Sequence, residues 1–459
     1  MKTALQNNNY DTMLEPSDWR FSAAIVGLMQ YLDYYNLDYK VEDDCIYYNI
    51  SDITEEKYLE FVEYKYGEEL HHKVIENILS SEEISEDQVK KINEKLSYNT
   101  IMKKNFNNIK FDKTNKKEIL DIINGNRGEL IRETFGKKDG GYKSYTKVNM
   151  KDSVKLLQDR KEYCRLNGYA CADENRKSMA LGFNFDKSSY VTQDEMEFDF
   201  IPFAFNGNKE VFFINDNCSI KRLKISNKIF RYKIEKDLDG ESKRRDARQA
   251  LFKGIIEISD FIDRDVEVIF KDNNKEYFET LYIRKESIDI FKLFIKENID
   301  YKIFYNSYKI IDKQKKIVKY DINIQKKVTE SVLNNLLLDN LIELFLKEKC
   351  SDYIVTQLIK VNVLIRRDKT MNDRLKGAFK NAKQVAEALE KNKLDSYKQK
   401  LTSSIIFKDY DRVCQILLQL SNYSGVEFNF VYDLFDDFEE NKDLVYTFIN
   451  ALSKKIENN

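Results

Sequence analysis

Apolar residues recur at helical spacing close to the start of the chain. Trp19, Ala23 and Val26 are separated by four and three residues, and further apolar side chains between them widen the stripe. The pattern predicts a largely buried helix over residues 18–35. Ser17 is the predicted N-cap, because a serine hydroxyl can accept a hydrogen bond from a free backbone N–H of the first turn.

The pattern changes several times before the middle of the chain. A short aromatic run at 44–50 predicts a strand, and charged helical patterns follow at 54–79 and 85–96. From residue 197 onward, Phe and β-branched residues dominate on both sides of Asn206-Gly207-Asn208, which predicts a β-hairpin over 197–217. Two more apolar runs, at 266–270 and 280–283, predict further strands.

After about residue 325 the pattern is helical throughout. The predicted helices are 331–347, 352–366, 372–391, 394–406, 410–423 and 441–456. The predicted fold class is therefore α+β, with a mixed N-terminal and central region at 1–325 and an all-helical C-terminal bundle at 326–459. A chain of 459 residues is long enough for more than one core.

Acidic and basic residues are concentrated in different segments of the chain, although the net charge is only -2. Residues 1–100 carry 9 Lys+Arg against 21 Asp+Glu, so this acidic start should avoid phosphate. Residues 101–182 carry 19 against 11 with many glycines, which predicts a basic, loop-rich segment. Residues 360–401 carry 12 against 5, and this surplus coincides with amphipathic helices.

Basic side chains at these places are the candidate nucleic-acid contacts, because each neutralised phosphate releases counterions and adds affinity. Along 372–391, Leu375, Phe379 and Ala382 belong to the predicted apolar stripe, which leaves the basic residues to face solvent or phosphate. No acid lies between Arg374 and Gln384 to neutralise them. The full set is Lys137, Lys138, Lys143, Arg244, Arg245, Arg248, Arg366, Arg367, Arg374, Lys376, Lys380 and Lys383.

Catalytic motifs are weak by comparison. The two histidines are adjacent at His71 and His72, where a helix would point them apart, and no phosphate-binding glycine loop or nucleophile elbow occurs. Glu63-Tyr64-Lys65 has the form of a nuclease E-x-K motif but lies in a helical pattern. Cys164, Cys171 and Cys218 lack the tight pairing that structural zinc prefers. We therefore predict no catalytic site, no metal and no cofactor.

Three segments resemble the large subunit of the type I CRISPR effector complex, Cascade, especially its type I-B form. The helix at Asp18–Leu28 is similar to the N-terminal helix of that family, and Phe200–Phe205 with Phe212–Asn215 is similar to its central hairpin. Asn372–Phe379 and Asp411–Leu418 resemble its C-terminal bundle, which is related to a small subunit. The cysteines depart from the paired C-x-x-C motifs of some members, so zinc is not expected.

The resemblance implies a non-catalytic subunit that recognises the protospacer-adjacent motif, helps to open the duplex and stabilises the R-loop. Its implied partners are the Cascade subunits that hold the guide RNA, double-stranded target DNA with its displaced strand, and a helicase-nuclease recruited on target binding. In similar complexes a small subunit is sometimes made by internal initiation, and Met371 is the only methionine after position 196. Without a signal peptide or membrane span, a cytoplasmic location is expected.

Two other functions fit the same residues. One is a metal-dependent phage-defence nuclease that uses Glu63 and Lys65. The other is a scaffold whose basic bundle binds an acidic protein partner. Salt dependence separates DNA binding from the scaffold, because phosphate contacts weaken steeply as salt rises.

Overall fold

The computed structural model describes residues 2–4, 10–42, 44–68, 70–135, 157, 195–206, 210–216, 218–238, 255–256, 262–272, 278–305, 307–312, 317–368 and 370–453. These residues form helices and small antiparallel sheets, which confirms the α+β fold class. They fall into two compact units, an N-terminal unit within 1–247 and 265–282 and a C-terminal unit within 248–264 and 283–459. The sequence-based domain boundary at residue 325 stays a prediction.

Helix α1 (Trp19–Tyr34) is the centre of the N-terminal unit and confirms the helix predicted at 18–35. Its N-cap is Asp18, not the predicted Ser17, since the Asp18 carboxylate accepts from the backbone N–H of Arg20 at 2.7 Å. Most of its side chains are buried on all sides. Gly27 lies directly under the backbone carbonyl of Phe200, where any side chain would collide.

The prediction of a first strand in the hairpin at 197–217 is wrong. Residues 196–200 form a 3₁₀-helix, followed by the short helix α7 (Ile201–Ala204) with Pro202 in its first turn. Proline suits the start of a helix and removes a donor that a strand would need. The phenylalanines here pack on α1 instead of forming a ladder, as the Phe21–Phe198 ring contact shows.

Strands complete the N-terminal unit. One antiparallel sheet has the order β1 (Lys2–Ala4), β2 (Thr12–Leu14), β4 (Ile46–Tyr48), β3 (Lys40–Val41). A second has the order β5 (Glu210–Asn215), β6 (Val266–Asp272), β7 (Glu279–Ile283), with Phe212 opposite Phe270. The strands predicted at 44–50, 266–270 and 280–283 are thus confirmed, and so is the second half of the hairpin.

Helices α2 (Glu55–Tyr66) and α8 (Ile220–Leu238) pack into the same core as α1. A second hydrophobic core is built by α3 (His71–Leu79), α4 (Glu86–Leu96), α5 (Thr100–Phe106) and α6 (Lys116–Phe135). The helical predictions at 54–79 and 85–96 are confirmed, apart from a break after Tyr66. The loop-rich prediction for 101–182 is wrong as far as Phe135, because apolar residues such as Ile119 and Ile123 bury a face of α6.

The C-terminal unit contains a hairpin, β8 (Ser307–Asp312) and β9 (Ile317–Asn323), that the sequence did not predict. Its helices are α9 (Lys285–Lys296), α10 (Ile324–Asn334), α11 (Asp339–Lys347), α12 (Asp352–Arg366), α13 (Met371–Ala388), α14 (Lys391–Ile406), α15 (Tyr410–Ser424), α16 (Phe430–Asp436) and α17 (Phe438–Ala451). The predicted helix 331–347 is two helices, because Asn335 adopts a left-handed conformation that ends α10. None of the described helices combines the length and the apolar character that a bilayer span requires.

Candidate nucleic-acid interface

Helix α13 carries the basic surface predicted from the sequence. Leu375, Ala378 and Ala382 are buried, and the alanines allow close packing against α17. Phe379 was predicted in this buried stripe, but its side chain is about half exposed at 49%. At 100° per residue it lies at the edge of the stripe, next to the lysines, so α13 presents an aromatic ring together with its positive charge.

Arg366 is not part of that surface, contrary to the sequence-based prediction. Its guanidinium lies 3.1 Å from Asp443 and 2.9 Å from Glu440, and it donates to the backbone carbonyl of Glu439 at 2.7 Å. The Arg366 side chain is only 7% exposed. A buried guanidinium with all three nitrogens engaged stabilises the bundle and has no free edge for a phosphate.

The carboxylate of Asp443 explains why Arg366 is held inside. Burial raises the pKa of Asp443 to about 6, while hydrogen bonds from Asn362 and the charge of Arg366 act in the opposite direction. The Asn362 amide donates to it at 3.0 Å. Arg366 is therefore the counter-charge of a fully buried acid.

Arg374 is also engaged within the bundle. Its guanidinium pairs with Asp368, donates to the Asn441 side chain at 2.7 Å and lies 3.6 Å from Asp433. Two acids after residue 430 are partners of these arginines: Asp433 pairs with Arg374, and Glu440 pairs with Arg366. The sequence showed no acid between Arg374 and Gln384, and the acids that neutralise Arg374 are Asp368, just before α13, and Asp433 on α16.

Lys376, Lys380 and Lys383 form the surface that remains, which we call the α13 lysine row. They are separated by four and three residues, so they share one side of α13, opposite the buried stripe. Lys376 is 79% exposed and makes one surface ion pair, with Asp373 at 2.8 Å. Lys380 is exposed, and no hydrogen bond or ion pair joins it to a described residue. Lys383 is half-buried and reaches the carbonyl of Ser453 at 3.3 Å.

Arg367 adds a further exposed cation close in sequence to this row. It is the C-cap of α12 in the left-handed conformation, with φ of 60°. The structure thus separates the six C-terminal predictions into two internal arginines and four exposed or half-exposed cations.

A cleft of about 360 Å³ opens beside the lysine row within the C-terminal unit. Lys360 and Lys376 supply positive charge, Glu297 is the acid, and Phe379 contributes an exposed ring. Thr447 and Asn450 add polar groups. The combination of cations and an aromatic surface suits a nucleic-acid backbone with an adjacent base. The sequence analysis did not single out Lys360, because only the fold brings α12 and α13 together.

The other predicted contacts cannot be compared with the fold. Lys137, Lys138, Lys143, Arg244, Arg245 and Arg248 lie outside the described residues, and so do Cys164 and Cys171. Cys218 is an exposed free thiol. Within the described ranges, no group of three or more His, Cys, Asp or Glu side chains is arranged to hold a metal ion.

Glu63 of the E-x-K motif takes part in a network of charged side chains. It lies 2.9 Å from the His72 ring and 2.6 Å from Arg127, which also pairs with Glu76. Burial would raise the pKa of Glu63, but the hydrogen bond with His72 and the charge of Arg127 lower it to about 2. These contacts occupy the carboxylate with partners inside the N-terminal unit.

The family model of the CRISPR-associated protein Csx8 matches residues 10–452, which include both units and the α13 lysine row. The chain belongs to this family. It is a CRISPR-associated protein, in agreement with the CRISPR resemblance of its sequence. No curated protein matches the sequence.

Proposed function

We propose that this CRISPR-associated protein is the non-catalytic, DNA-binding large subunit of a type I effector complex of the Cascade kind, type I-B. In that role it recognises the protospacer-adjacent motif, helps to open the duplex and stabilises the R-loop. It works with the subunits that hold the guide RNA and offers a docking surface for the helicase-nuclease. Family membership supports a role in CRISPR defence, and the subunit role is our inference.

The α13 lysine row is the observation that carries the DNA-binding part of the proposal. Its three lysines lie along one side of a helix whose opposite side is buried, so the spacing of their Cα atoms is fixed by the fold. Fixed, exposed cations can follow a phosphate backbone without reading its sequence. In RNA-guided systems base pairing supplies the sequence specificity, and the protein holds strands in a cationic channel.

The engagement of Glu63 favours a non-catalytic role over the nuclease alternative. A metal-binding carboxylate needs free lone pairs, and those of Glu63 face His72, Arg127 and Lys73. This network has a structural use, since Arg127 on α6 links α2 to α3 through Glu63 and Glu76. Glu63 and Lys65 are two residues apart on α2 and point away from each other, so they do not form one site on this helix.

The test uses the protein assembled with its neighbouring complex subunits and guide RNA. Binding is measured to a matched duplex with the correct flanking motif and to one with an altered motif. The K376Q/K380Q/K383Q variant removes the lysine row. The K285Q/K326Q/K327Q variant removes three exposed lysines from α9 and α10 as a charge-matched control.

We expect motif-dependent binding without cleavage, weakened in the lysine-row variant and little changed in the control. The slope of log affinity against log salt should fall by roughly 2 to 3 when three phosphate contacts are lost. Cleavage on addition of a divalent metal would favour the nuclease instead. Binding that depends on neither the flanking motif nor the lysine row would favour the scaffold function.

A further inference from the structure

A second cleft of about 400 Å³ lies within the C-terminal unit, between α11, the start of α12, α14 and the end of α17. Its volume falls in the range of roughly 300–1,000 Å³ that small-molecule sites occupy. Three features of this cleft point to a ligand: a partly buried amine, a buried amide oxygen and an exposed ring. The amine lies on α14 and the ring directly follows it, whereas the amide lies on α17 and lines the first cleft as well.

The amine is that of Lys398 on α14. Its burial lowers the pKa of Lys398, Asp352 raises it, and the nearby charge of Lys383 lowers it further. No hydrogen bond or ion pair of 4.0 Å or less joins its Nζ atom to another described residue. Lys347 and Lys349 also line the cleft, against the acids Asp352 and Asp395. A desolvated cation among other cations gains most from an anionic ligand.

The amide oxygen is Oδ1 of Asn450, near the end of α17. The Nδ2 group donates to the carbonyl of Asp352 at 2.8 Å and to the hydroxyl of Thr356 at 3.0 Å, which fixes the orientation of the amide. Oδ1 then has no donor among the described residues, although Asn450 is only 6% exposed. A buried acceptor without a donor costs free energy, so a ligand that brings an N–H group would be favoured.

The ring is that of Phe407, which directly follows α14 and is 82% exposed. Its backbone is held in place, because its N–H donates to the Ser403 carbonyl at 3.0 Å and the Asp409 N–H donates to the Ser404 carbonyl at 2.9 Å. A large apolar ring at this degree of exposure gains little for folding. An exposed ring on a fixed backbone beside lysines is the arrangement on which bases stack.

We propose that this cleft binds one nucleotide of single-stranded DNA, with the phosphate at Lys398, the base against Phe407, and an amino group of the base donating to Asn450. The DNA assignment rests on the proposed function, in which the C-terminal unit binds DNA through the α13 lysine row. Lys383 links the two sites, because it belongs to the α13 lysine row and its charge acts on Lys398.

The first test uses the full chain and a fluorescein-labelled single-stranded deoxyoligonucleotide, compared with the same strand in abasic form. Phe407→Ala removes the ring, and Tyr432→Ala is the matched control, since Tyr432 is 66% exposed and lies on α16. Lys398→Met keeps the length of the side chain and removes its charge. Both Phe407 and Tyr432 are exposed enough that their removal should leave the fold intact.

Wild type should bind the intact strand about 5- to 100-fold more tightly than the abasic strand, the range typical of one stacked base. Phe407→Ala should abolish that preference, and Tyr432→Ala should keep it. Lys398→Met should weaken binding of both strands by a similar factor, because it acts on phosphate. Equal behaviour of Phe407→Ala and Tyr432→Ala would overturn the proposal.

A second comparison separates this proposal from the proposed function. If the assembled complex still binds DNA in a motif-dependent way while Phe407→Ala has no base-specific effect, the cleft proposal fails alone. If motif dependence is absent while the base preference depends on Phe407, the large-subunit role fails and the nucleotide site stands. An RNA strand of the same sequence that binds more tightly, with the same loss in Phe407→Ala, would overturn the assignment to DNA.

Discussion

The guanidinium of Arg366 lies 3.1 Å from the carboxylate of Asp443, whose side chain has no exposure to solvent. Removing the positive partner would leave a buried carboxylate without its counter-charge. We expect Arg366→Leu to lower the free energy of unfolding of the C-terminal unit by about 3–5 kcal/mol. Urea unfolding followed by circular dichroism measures this change.

Adding Asp443→Asn to Arg366→Leu should restore part of the lost stability, since the double variant buries no charge. An Arg366→Leu protein as stable as wild type would show that the pair contributes nothing. Neither variant should alter the salt dependence of DNA binding, because Arg366 has no free edge to offer.

Lys380 and Arg374 lie on the same helix but differ in their surroundings. Lys380→Gln should lower the slope of log affinity against log salt by about 0.7–0.9, as expected for one lost phosphate contact. Arg374→Gln should leave the slope unchanged and lower stability instead, because Arg374 contacts Asp368, Asn441 and Asp433. Affinity measured at four or more salt concentrations tests both. Equal slope changes would mean that Arg374 leaves its partners to meet DNA.

Gly27 is required by the contact between α1 and the carbonyl of Phe200. Gly27→Ala places a methyl group onto a backbone atom that cannot rotate away, so we expect a loss of about 3 kcal/mol or more in stability. Gly125→Ala in α6 is the matched control, since no other group lies within 4 Å of an added Cβ. The control should be neutral or more stable by up to about 1 kcal/mol. Thermal unfolding of both variants measures the difference.

Glu63 should make stability depend on pH. Its folded pKa of about 2 is below the unfolded value of about 4.3, so its contribution is complete above pH 4.3 and is lost as pH falls towards 2. Glu63→Gln should therefore cost about 1–3 kcal/mol at pH 7, after allowance for solvent screening, and much less near pH 2.5. Urea midpoints at the two pH values measure this, with the exposed Glu94→Gln on α4 as the control.

The Glu63→Gln variant also tests whether the protein is a nuclease. Wild type and Glu63→Gln incubated with duplex DNA and Mg²⁺ should both leave the DNA intact. Cleavage by wild type that disappears in Glu63→Gln would establish the nuclease and contradict the large-subunit proposal.

The periodic spacing of hydrophobic residues predicted most of the helices, because the apolar stripe of each helix is encoded within one short segment of the sequence. It failed at 198–205, where a run of phenylalanines looks the same whether it builds a strand or covers a helix such as α1. The hairpin of β8 and β9 was missed because its described residues are mostly exposed, so the apolar alternation that marks a half-buried strand is weak.

The candidate site was predictable only in part. The excess of lysine and arginine near α13 was visible in the sequence, but Arg366 is neutralised by Asp443, about 80 positions away, and Arg374 by Asp433, about 60 positions away, together with the nearby Asp368. Lys398, Phe407 and Asn450 had no local signal, because each matters through neighbours on other helices. The position of Phe407, an aromatic residue directly after a helix, is the one feature of this cleft that the sequence itself carries.

The polar contacts of α17 also bear on how the gene is expressed. Asp443 depends on Arg366 and Asn362, Lys442 contacts Asp339 at 3.2 Å, and Asn450 donates to the Asp352 carbonyl. Translation restarting at Met371 would omit all four partners and release a peptide with exposed apolar faces. A separate small subunit with the same packing therefore has to start before Asp339, and no methionine lies between Met196 and that residue.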